Sequence, residues 1–457
     1  MRKDEETREQ ALSVRPRKRL DFFTPQRGLL LGFGLVIALG TLLLSLPVAV
    51  TPGGDNSFLN ALFTATSATC VVGLVVVDTA TNWSTFGHVV ILGLIQVGGL
   101  GFVVVATTIL VLIRRRIGLR QRLLIQESLS QMQVGGVVRL VLQVILITLV
   151  VEAVFAVVLA VRFVPEFGWG RGVWMGLFHG VSAFNNAGFD LFGGFRSLTA
   201  YTGDPVVTLG IAVPVIIGGL GFVVIADVYQ QRRFKKLALH SKMVIVATAL
   251  LLVVSTLVIL LLEYHHALAG LSGPDKVLAA FFQALTARSA GFSTMATDSL
   301  QAATQFFTIG LMFIGGGPSS VTGGIKVSTL AILVLIVWSL SHGRESVNVA
   351  NRRIPQFSIH KAVALTLVML SLVFLATLLL SVTEETDFLT TLFEATSAVG
   401  IVGLSMGLTH ELSPTGKLVV TVCMFIGRVG PLTMAVALAK HPKKPKLKYP
   451  EEHIIIG

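Results

Sequence analysis

Hydrophobic side chains make up 53% of this 457-residue chain and charged ones 13%; the mean hydropathy is +0.80. Such values exclude the two or three soluble domains that the length alone would suggest and indicate an integral membrane protein. The net charge of +12 does not point to nucleic acid, because Lys and Arg gather in five blocks (15–19, 114–122, 232–236, 344–361 and 440–448), and two cysteines, Cys70 and Cys423, offer neither a disulfide framework nor a metal cluster.

Asp55, Asp78, Glu166, Asp204, Glu263, Asp275, Asp298, Glu384, Glu385, Asp387 and Glu411 lie between the basic blocks. If basic segments stay in the cytoplasm, an even number of crossings separates successive blocks, and both termini are cytoplasmic. The charge pattern therefore predicts a multi-pass membrane protein.

In chain order, residues 1–27 are a polar cytoplasmic tail. The apolar run 28–50 is long enough to cross roughly 30 Å of hydrocarbon and too long for a signal peptide, so it reads as an uncleaved first span. The next stretch, FTATSATCVVGL at 63–74, is too short and too polar to cross, and is expected to re-enter. Residues 88–113 then return the chain to the basic block at 114–122. The same succession of span, re-entrant segment and span follows three more times, predicting an all-α membrane protein of four pseudo-symmetric helix–re-entrant pore loop–helix units around one pore. The predicted units cover 28–122, 137–236, 240–342 and 358–439, with a basic cytoplasmic tail at 440–457.

The re-entrant segments are copies of one another. Each starts at a phenylalanine (Phe63, Phe178, Phe282, Phe393) and ends at a glycine (Gly73, Gly188, Gly291, Gly403) ten residues on, or nine in the third copy. A cation that leaves water needs substitute oxygens, and a ring of backbone carbonyls can supply them. Glycine tolerates the dihedrals that aim carbonyls inward. Each segment is thus expected to be a short helix whose carbonyl end faces the pore, followed by an extended stretch. Val72, Ala187, Ala290 and Val402 would contribute carbonyls, and since none is charged, selection would rest on backbone oxygens.

The second spans carry glycine clusters at 97–101, 217–221, 314–317 and 426–430. In the first two copies these fit close helix packing. The third apolar stretch, 306–340, would be about 50 Å long as one helix, but GGGPSSVTGG at 315–324 cannot sustain one. Irregular backbone at membrane depth is tolerated only in a protein interior or beside a water-filled cavity, so Gly315, Gly316, Gly317, Pro318, Ser319, Ser320, Gly323 and Gly324 form a candidate gate. Arg428 stands where the other copies have Gly99, Gly219 and Gly316, and should face the axis just below the re-entrant segments as a gate, a latch or a packing partner. Lys326 is either part of that gate or a snorkelling lysine.

SATCVVGL, SAFNNAGF, TARSAGFST and TSAVGIVGLSMGL, with QVGGLGF and IGRVGPLT, resemble the Trk/Ktr/HKT potassium transporter superfamily over residues 20–450, most closely its Ktr-type membrane subunits. The resemblance implies potassium as the transported substrate, bound at Gly73, Gly188, Gly291 and Gly403; Gly73, which is serine in some sodium-carrying plant relatives, favours potassium. It also implies a gating loop at 315–324, a basic gating residue at Arg428, no covalent cofactor and sodium as an activator. The partners it implies are a second copy in a homodimer, membrane lipid and a cytoplasmic ring of KtrA-type subunits whose RCK domains bind a nucleotide of the ATP/ADP or NAD class.

Other polar residues are less specific. Glu152 and Arg139 on an outer span read as satisfying a neighbour or an interface. Asp190 either concentrates cations at the outer mouth or is a solvated loop acid. His179, His265, His266 and His360 lack the spacing of a metal site. GGGPSSVTGGIKVS lacks the Gly-Lys-Ser/Thr ending of a phosphate loop, so nucleotide regulation would have to come through a second protein. A cation-coupled carrier of another solute would need an ionisable relay that the inner spans lack, and an enzyme would need a convergent catalytic set.

Overall fold

The computed structural model describes residues 25–101, 104, 105, 107, 108, 111, 137–344, 346–430 and 433. Nearly all of the expected N-terminal tail, the basic block at 114–122 and the tail at 440–457 therefore lie outside the described residues. The described chain is helical apart from a two-residue antiparallel hairpin, Asn348–Val349 against Arg352–Arg353.

Four helices are long and apolar enough to cross a bilayer: α1 (Pro25–Leu44), α5 (Val137–Phe167), α9 (Leu239–Glu263) and α13 (Gln356–Thr383). Each packs against the short re-entrant helix that follows it: α2 (Phe58–Cys70), α6 (Trp169–Phe184), α10 (Gly273–Thr286) and α14 (Phe388–Gly400). At 13–16 residues these short helices reach only about 20–24 Å. Leu31, Leu35, Leu39 and Leu42 on α1 are exposed, a lipid-facing stripe with helical spacing. The repeated Phe63, Phe178, Phe282 and Phe393 are all buried, which accounts for their recurrence: each anchors its short helix in the core.

The returning spans are α4 (Thr85–Leu100), α7 (Pro205–Leu220) with α8 (Phe222–Gln231), α11 (Ala302–Met312) with α12 (Val327–Ser341), and α16 (Pro414–Val429); α3 (Thr79–Asn82) and α15 (Leu408–Glu411) are single turns before the first and the last. Ser84, Asp204 and Ser413 cap three of these helices through side-chain oxygens that accept backbone N–H groups.

From the sequence a break is expected only in the third returning span. The structure also bends the second by 93° between α7 and α8. Gly221 carries the bend at φ +95, and α4 and α16 end on glycines in the same region, Gly101 at φ +80 and Gly430 at φ +89. The last glycine of each of these three clusters is thus a backbone device, while the first is a packing device. A β-carbon on Gly98, Gly218 or Gly427 would lie 2.0, 2.0 or 2.4 Å from the carbonyl oxygens of Thr69, Phe184 or Val399. Close approach of each returning span to the end of a short helix requires glycine there.

Candidate functional site: a ring of glycines above a tethered loop

The four short helices end alike. Val71, Asn186, Ser289 and Ile401 adopt left-handed φ values between 52 and 70, two residues before Gly73, Gly188, Gly291 and Gly403. This conformation is costly for β-branched Val71 and Ile401, and the surroundings hold it. Val72 N, Ala187 N and Val402 N donate to the carbonyls of Ser67, Ser182 and Ser397 at 2.8, 2.8 and 2.9 Å, and Ala290 N donates to that of Thr286 at 3.2 Å.

Side chains of those same four residues brace the next stretch. Ser67 Oγ and Ser397 Oγ accept from Gly73 N and Gly403 N at 3.2 and 3.1 Å. Ser182 Oγ donates to Phe189 O at 2.8 Å, and Thr286 Oγ1 donates to Phe292 O. The first and fourth segments are therefore held by one pattern and the second and third by another.

So held, the glycines meet. Their φ values are +93, +70, +77 and +88 in chain order. A β-carbon on Gly73 would lie 2.6 Å from Ala187 O, on Gly188 2.7 Å from Gly291 Cα, on Gly291 3.1 Å from Val402 O and on Gly403 2.0 Å from Val72 O. The four glycines and the carbonyl-bearing residues before them thus close a ring too tight for any side chain. All four glycines line a cavity of about 350 Å³ shared with Asp190, Ser293, Asp298, Ser405 and His410. A second cavity of about 670 Å³ is lined by Gly99, Gly101, residues 319, 320 and 322–326, and Arg428.

Between the ring and this second cavity lies the irregular stretch of the third span. Its ends pair: Gly315 N donates to Ile325 O at 2.9 Å, Ile325 N to Phe313 O at 3.2 Å and Val327 N to Gly316 O at 3.0 Å. The excursion so closed is tied to the second and fourth quarters and to the rest of the third. In the second quarter, Gly317 N donates to Gly219 O at 2.8 Å and Phe222 N to Ser319 O at 3.0 Å. In the third, Gly323 N donates to Ser289 Oγ at 3.2 Å, and Ser289 Oγ donates to Ile401 O in the fourth. Arg428 donates through one guanidinium nitrogen to Val321 O and through another to Gly98 O, which joins the fourth quarter to the first. Pro318 is seated by its carbonyl, which a β-carbon on Gly221 would approach to 2.3 Å. Ser320 Oγ lies 2.6 Å from Thr322 Oγ1. Gly324 turns at φ +67.

Lys326 does not point away from this stretch. Its Nζ donates to Thr322 O at 2.6 Å and Gly323 O at 3.4 Å. Glu152, buried at mid-helix on α5, accepts from Gln96 Nε2 at 3.1 Å and from Asn185 Nδ2 at 2.9 Å, so it satisfies neighbours on α4 and at the end of α6. Arg139 is exposed in the first turn of α5. His179 is buried; its Nδ1 lies 2.8 Å from Met175 O and its Nε2 accepts from Leu191 N at 3.3 Å, an arrangement that requires the proton on Nδ1. His266 Nδ1 lies 3.1 Å from Glu263 Oε2. Asp190 Oδ1 accepts from Phe192 N at 3.0 Å while lining the smaller cavity.

Sequence reasoning passed over two residues here. Ser289 links ring and loop, and Arg288 is a second buried guanidinium, donating to Gly315 O at 3.5 Å. Both lie in TARSAGF; only Arg288, a charge beside a glycine-ended segment, carried a signal that could have been used.

Residues 38–449 match TrkH, a family described as cation transport protein. The chain is 43% identical over 437 residues to the Ktr system potassium uptake protein B of Bacillus subtilis, covering 95% of this chain and 97% of that one. It is 37% identical over 454 residues to the potassium/sodium uptake protein NtpJ of Enterococcus hirae, covering 98% and 99%. The crystal structure of the potassium transporter TrkH from Vibrio parahaemolyticus has the same fold at a TM-score of 0.74, with 19% identity over 93% of this chain and 86% of that one. The relatives are transporters, not enzymes, and the chain belongs to the TrkH family of membrane cation transport proteins.

Proposed function

We propose that the protein takes up potassium across the cytoplasmic membrane, with Gly73, Gly188, Gly291 and Gly403 as the selectivity filter. The observation that carries this reading is the ring itself: four glycines at positive φ, each against the backbone of a neighbouring segment. Carbonyls of Val72, Ala187, Ala290 and Val402 replace the hydration shell of the ion. Potassium enters from the relatives, which carry it in their names; the name of the Enterococcus protein also includes sodium as a transported ion, and sodium as an activator is part of this proposal. The four units, at 28–122, 137–236, 240–342 and 358–439, surround this single path, with both termini in the cytoplasm.

The stretch 315–324, with Lys326 and Arg428, acts as the gate. The loop lies between ring and inner cavity, hydrogen-bonded to the second, third and fourth quarters, and the guanidinium of Arg428, which also reaches Gly98 O of the first, repels cations while it holds the loop. Opening requires those bonds to exchange, and a cytoplasmic ring of nucleotide-binding RCK subunits drives that exchange in a homodimeric assembly. The name "Ktr system" of the Bacillus relative is in keeping with such a partner.

The test is flux into liposomes. Purified protein should pass potassium in preference to sodium, and addition of the nucleotide-loaded partner ring should change the rate. Equal potassium and sodium flux in folded protein would overturn the filter; a rate indifferent to the ring and to its nucleotide would overturn the regulation.

A further inference from the structure

The residue that follows the anchoring phenylalanine is polar in every segment: Thr64, His179, Gln283 and Glu394. All four are buried. They form one pseudo-symmetric set behind the glycine ring, yet they behave differently. Thr64 Oγ1 and both polar atoms of Gln283 make no hydrogen bond among the described residues. His179 holds Leu191 N, three residues beyond Gly188. Glu394 is the single acid of the set and makes the most of its position.

Its two carboxylate oxygens accept from Ser405 Oγ at 2.8 Å and from Thr409 Oγ1. Ser405 Oγ in turn accepts from Gly407 N at 3.1 Å and Thr409 N at 3.4 Å. The chain between Gly403 and Thr409 is thereby folded over the carboxylate, with Gly403 at φ +88 and Gly407 at φ +97 allowing the turns. Gly403, Ser405 and Thr409 also line the 350 Å³ cavity next to the ring. No basic side chain pairs with Glu394 among the described ion pairs. Both of its partners are neutral hydroxyls, so any negative charge it carries is compensated only by dipoles.

We propose that Glu394 is a positioning residue of the filter, whose carboxyl group fixes the outer stretch of the fourth segment and, when ionised, adds a negative field to the carbonyl ring from behind. The proposal rests on the filter reading given above. It assigns to the fourth segment the strongest grip on the permeating cation, because a charge-assisted hydrogen bond is about twice as strong as a neutral one and a buried charge is weakly screened.

The experiment measures potassium and sodium flux in liposomes for Glu394→Gln, Glu394→Asp, Ser405→Ala and, as a reference, Gly73→Ser. Glu394→Gln keeps the shape and one acceptor oxygen but no charge. It should raise the half-saturating potassium concentration roughly fivefold to tenfold and lower the potassium-to-sodium ratio, at an unchanged melting temperature. Glu394→Asp, which keeps the charge, should recover the half-saturation more than the ratio. Wild-type half-saturation and ratio in folded Glu394→Gln, with Gly73→Ser still shifting selectivity, would overturn the role of Glu394 and leave the filter standing. If Gly73→Ser also has no effect, the filter reading itself fails. Should Glu394→Gln not fold, Ser405→Ala decides, since it removes one carboxylate donor: a lowered ratio supports the proposal and an unchanged one overturns it.

Discussion

Arg428 donates to the carbonyl oxygen of Val321, 107 residues earlier in the chain, and with the same guanidinium to Gly98 O. Each contact is a charge-assisted hydrogen bond worth about 1.5–3 kcal/mol, and both end on backbone, so opening the path requires the arginine to leave the loop carbonyl of Val321 or the α4 carbonyl of Gly98. Arg428→Ala should therefore raise potassium flux in the absence of the regulatory ring by at least about tenfold, the change that ~1.4 kcal/mol gives. Arg428→Lys, which keeps a charge but cannot bridge two carbonyls through a planar fork, should fall between. Deletion of 315–324 should match or exceed the alanine variant. Unchanged or lower flux in folded protein would show that neither the arginine nor the loop closes the path.

Gly73→Ser tests the ring directly. At φ +93 with Ala187 O 2.6 Å from the site of the new carbon, a serine forces the first segment outward and removes one quarter of the carbonyl geometry. Sodium flux should rise relative to potassium in the folded protein, and the melting temperature should fall, because the new carbon meets backbone at a positive φ. Wild-type selectivity in the variant would sink the assignment of Gly73.

Much of the architecture was legible because the bilayer makes hydropathy and length decisive and because four copies of a segment reveal what one cannot. Gly73, Gly188, Gly291 and Gly403, singled out by register alone, are the residues that the structure brings into contact. The bend at Gly221 was not legible. The cluster at 217–221 differs from its equivalent at 97–101 only by isoleucine for valine at the first position, and the loop carbonyl of Pro318 that presses against Gly221 comes from the third unit. The braces were legible only as part of the repeat: Ser67, Ser182, Thr286 and Ser397 recur four residues after the phenylalanine, but nothing in a small polar residue of a short helix tells that its hydroxyl will hold the chain that folds back over it. Ser289 was invisible for the same reason, since its two partners lie 34 and 112 residues away.

Two glycines of α4 separate packing from flexibility. A β-carbon on Gly98 would lie 2.0 Å from Thr69 O, whereas one on Gly93 would meet nothing within 4 Å. Gly98→Ala should destabilise by about 1–3 kcal/mol through overpacking. Gly93→Ala should be neutral or stabilising by up to about 1 kcal/mol, because alanine is the better helix former. Thermal melts of the two variants in the same detergent check the pair, and equal effects would mean that α4 does not press on α2 in the membrane.

Glu152 stands at the meeting of three elements: its own α5, Gln96 on α4 and Asn185 at the end of α6. Asn185 also donates to Gln96 Oε1 at 3.1 Å and to Val181 O at 2.9 Å, and it immediately precedes Asn186, Ala187 and Gly188. Glu152→Leu would strip the half-buried Gln96 Nε2 of its acceptor, at about 1–3 kcal/mol for a donor left unsatisfied, while Asn185 Nδ2 keeps Gln96 Oε1 and Val181 O. Glu152→Gln leaves one acceptor oxygen and should lose less. If the cluster serves only stability, the leucine variant melts lower and keeps its potassium-to-sodium ratio. Because Asn185 is covalently two residues from the carbonyl of Ala187, we expect the ratio to fall as well, with Glu152→Gln recovering most of it. A melting shift without a change in ratio would confine Glu152 to packing.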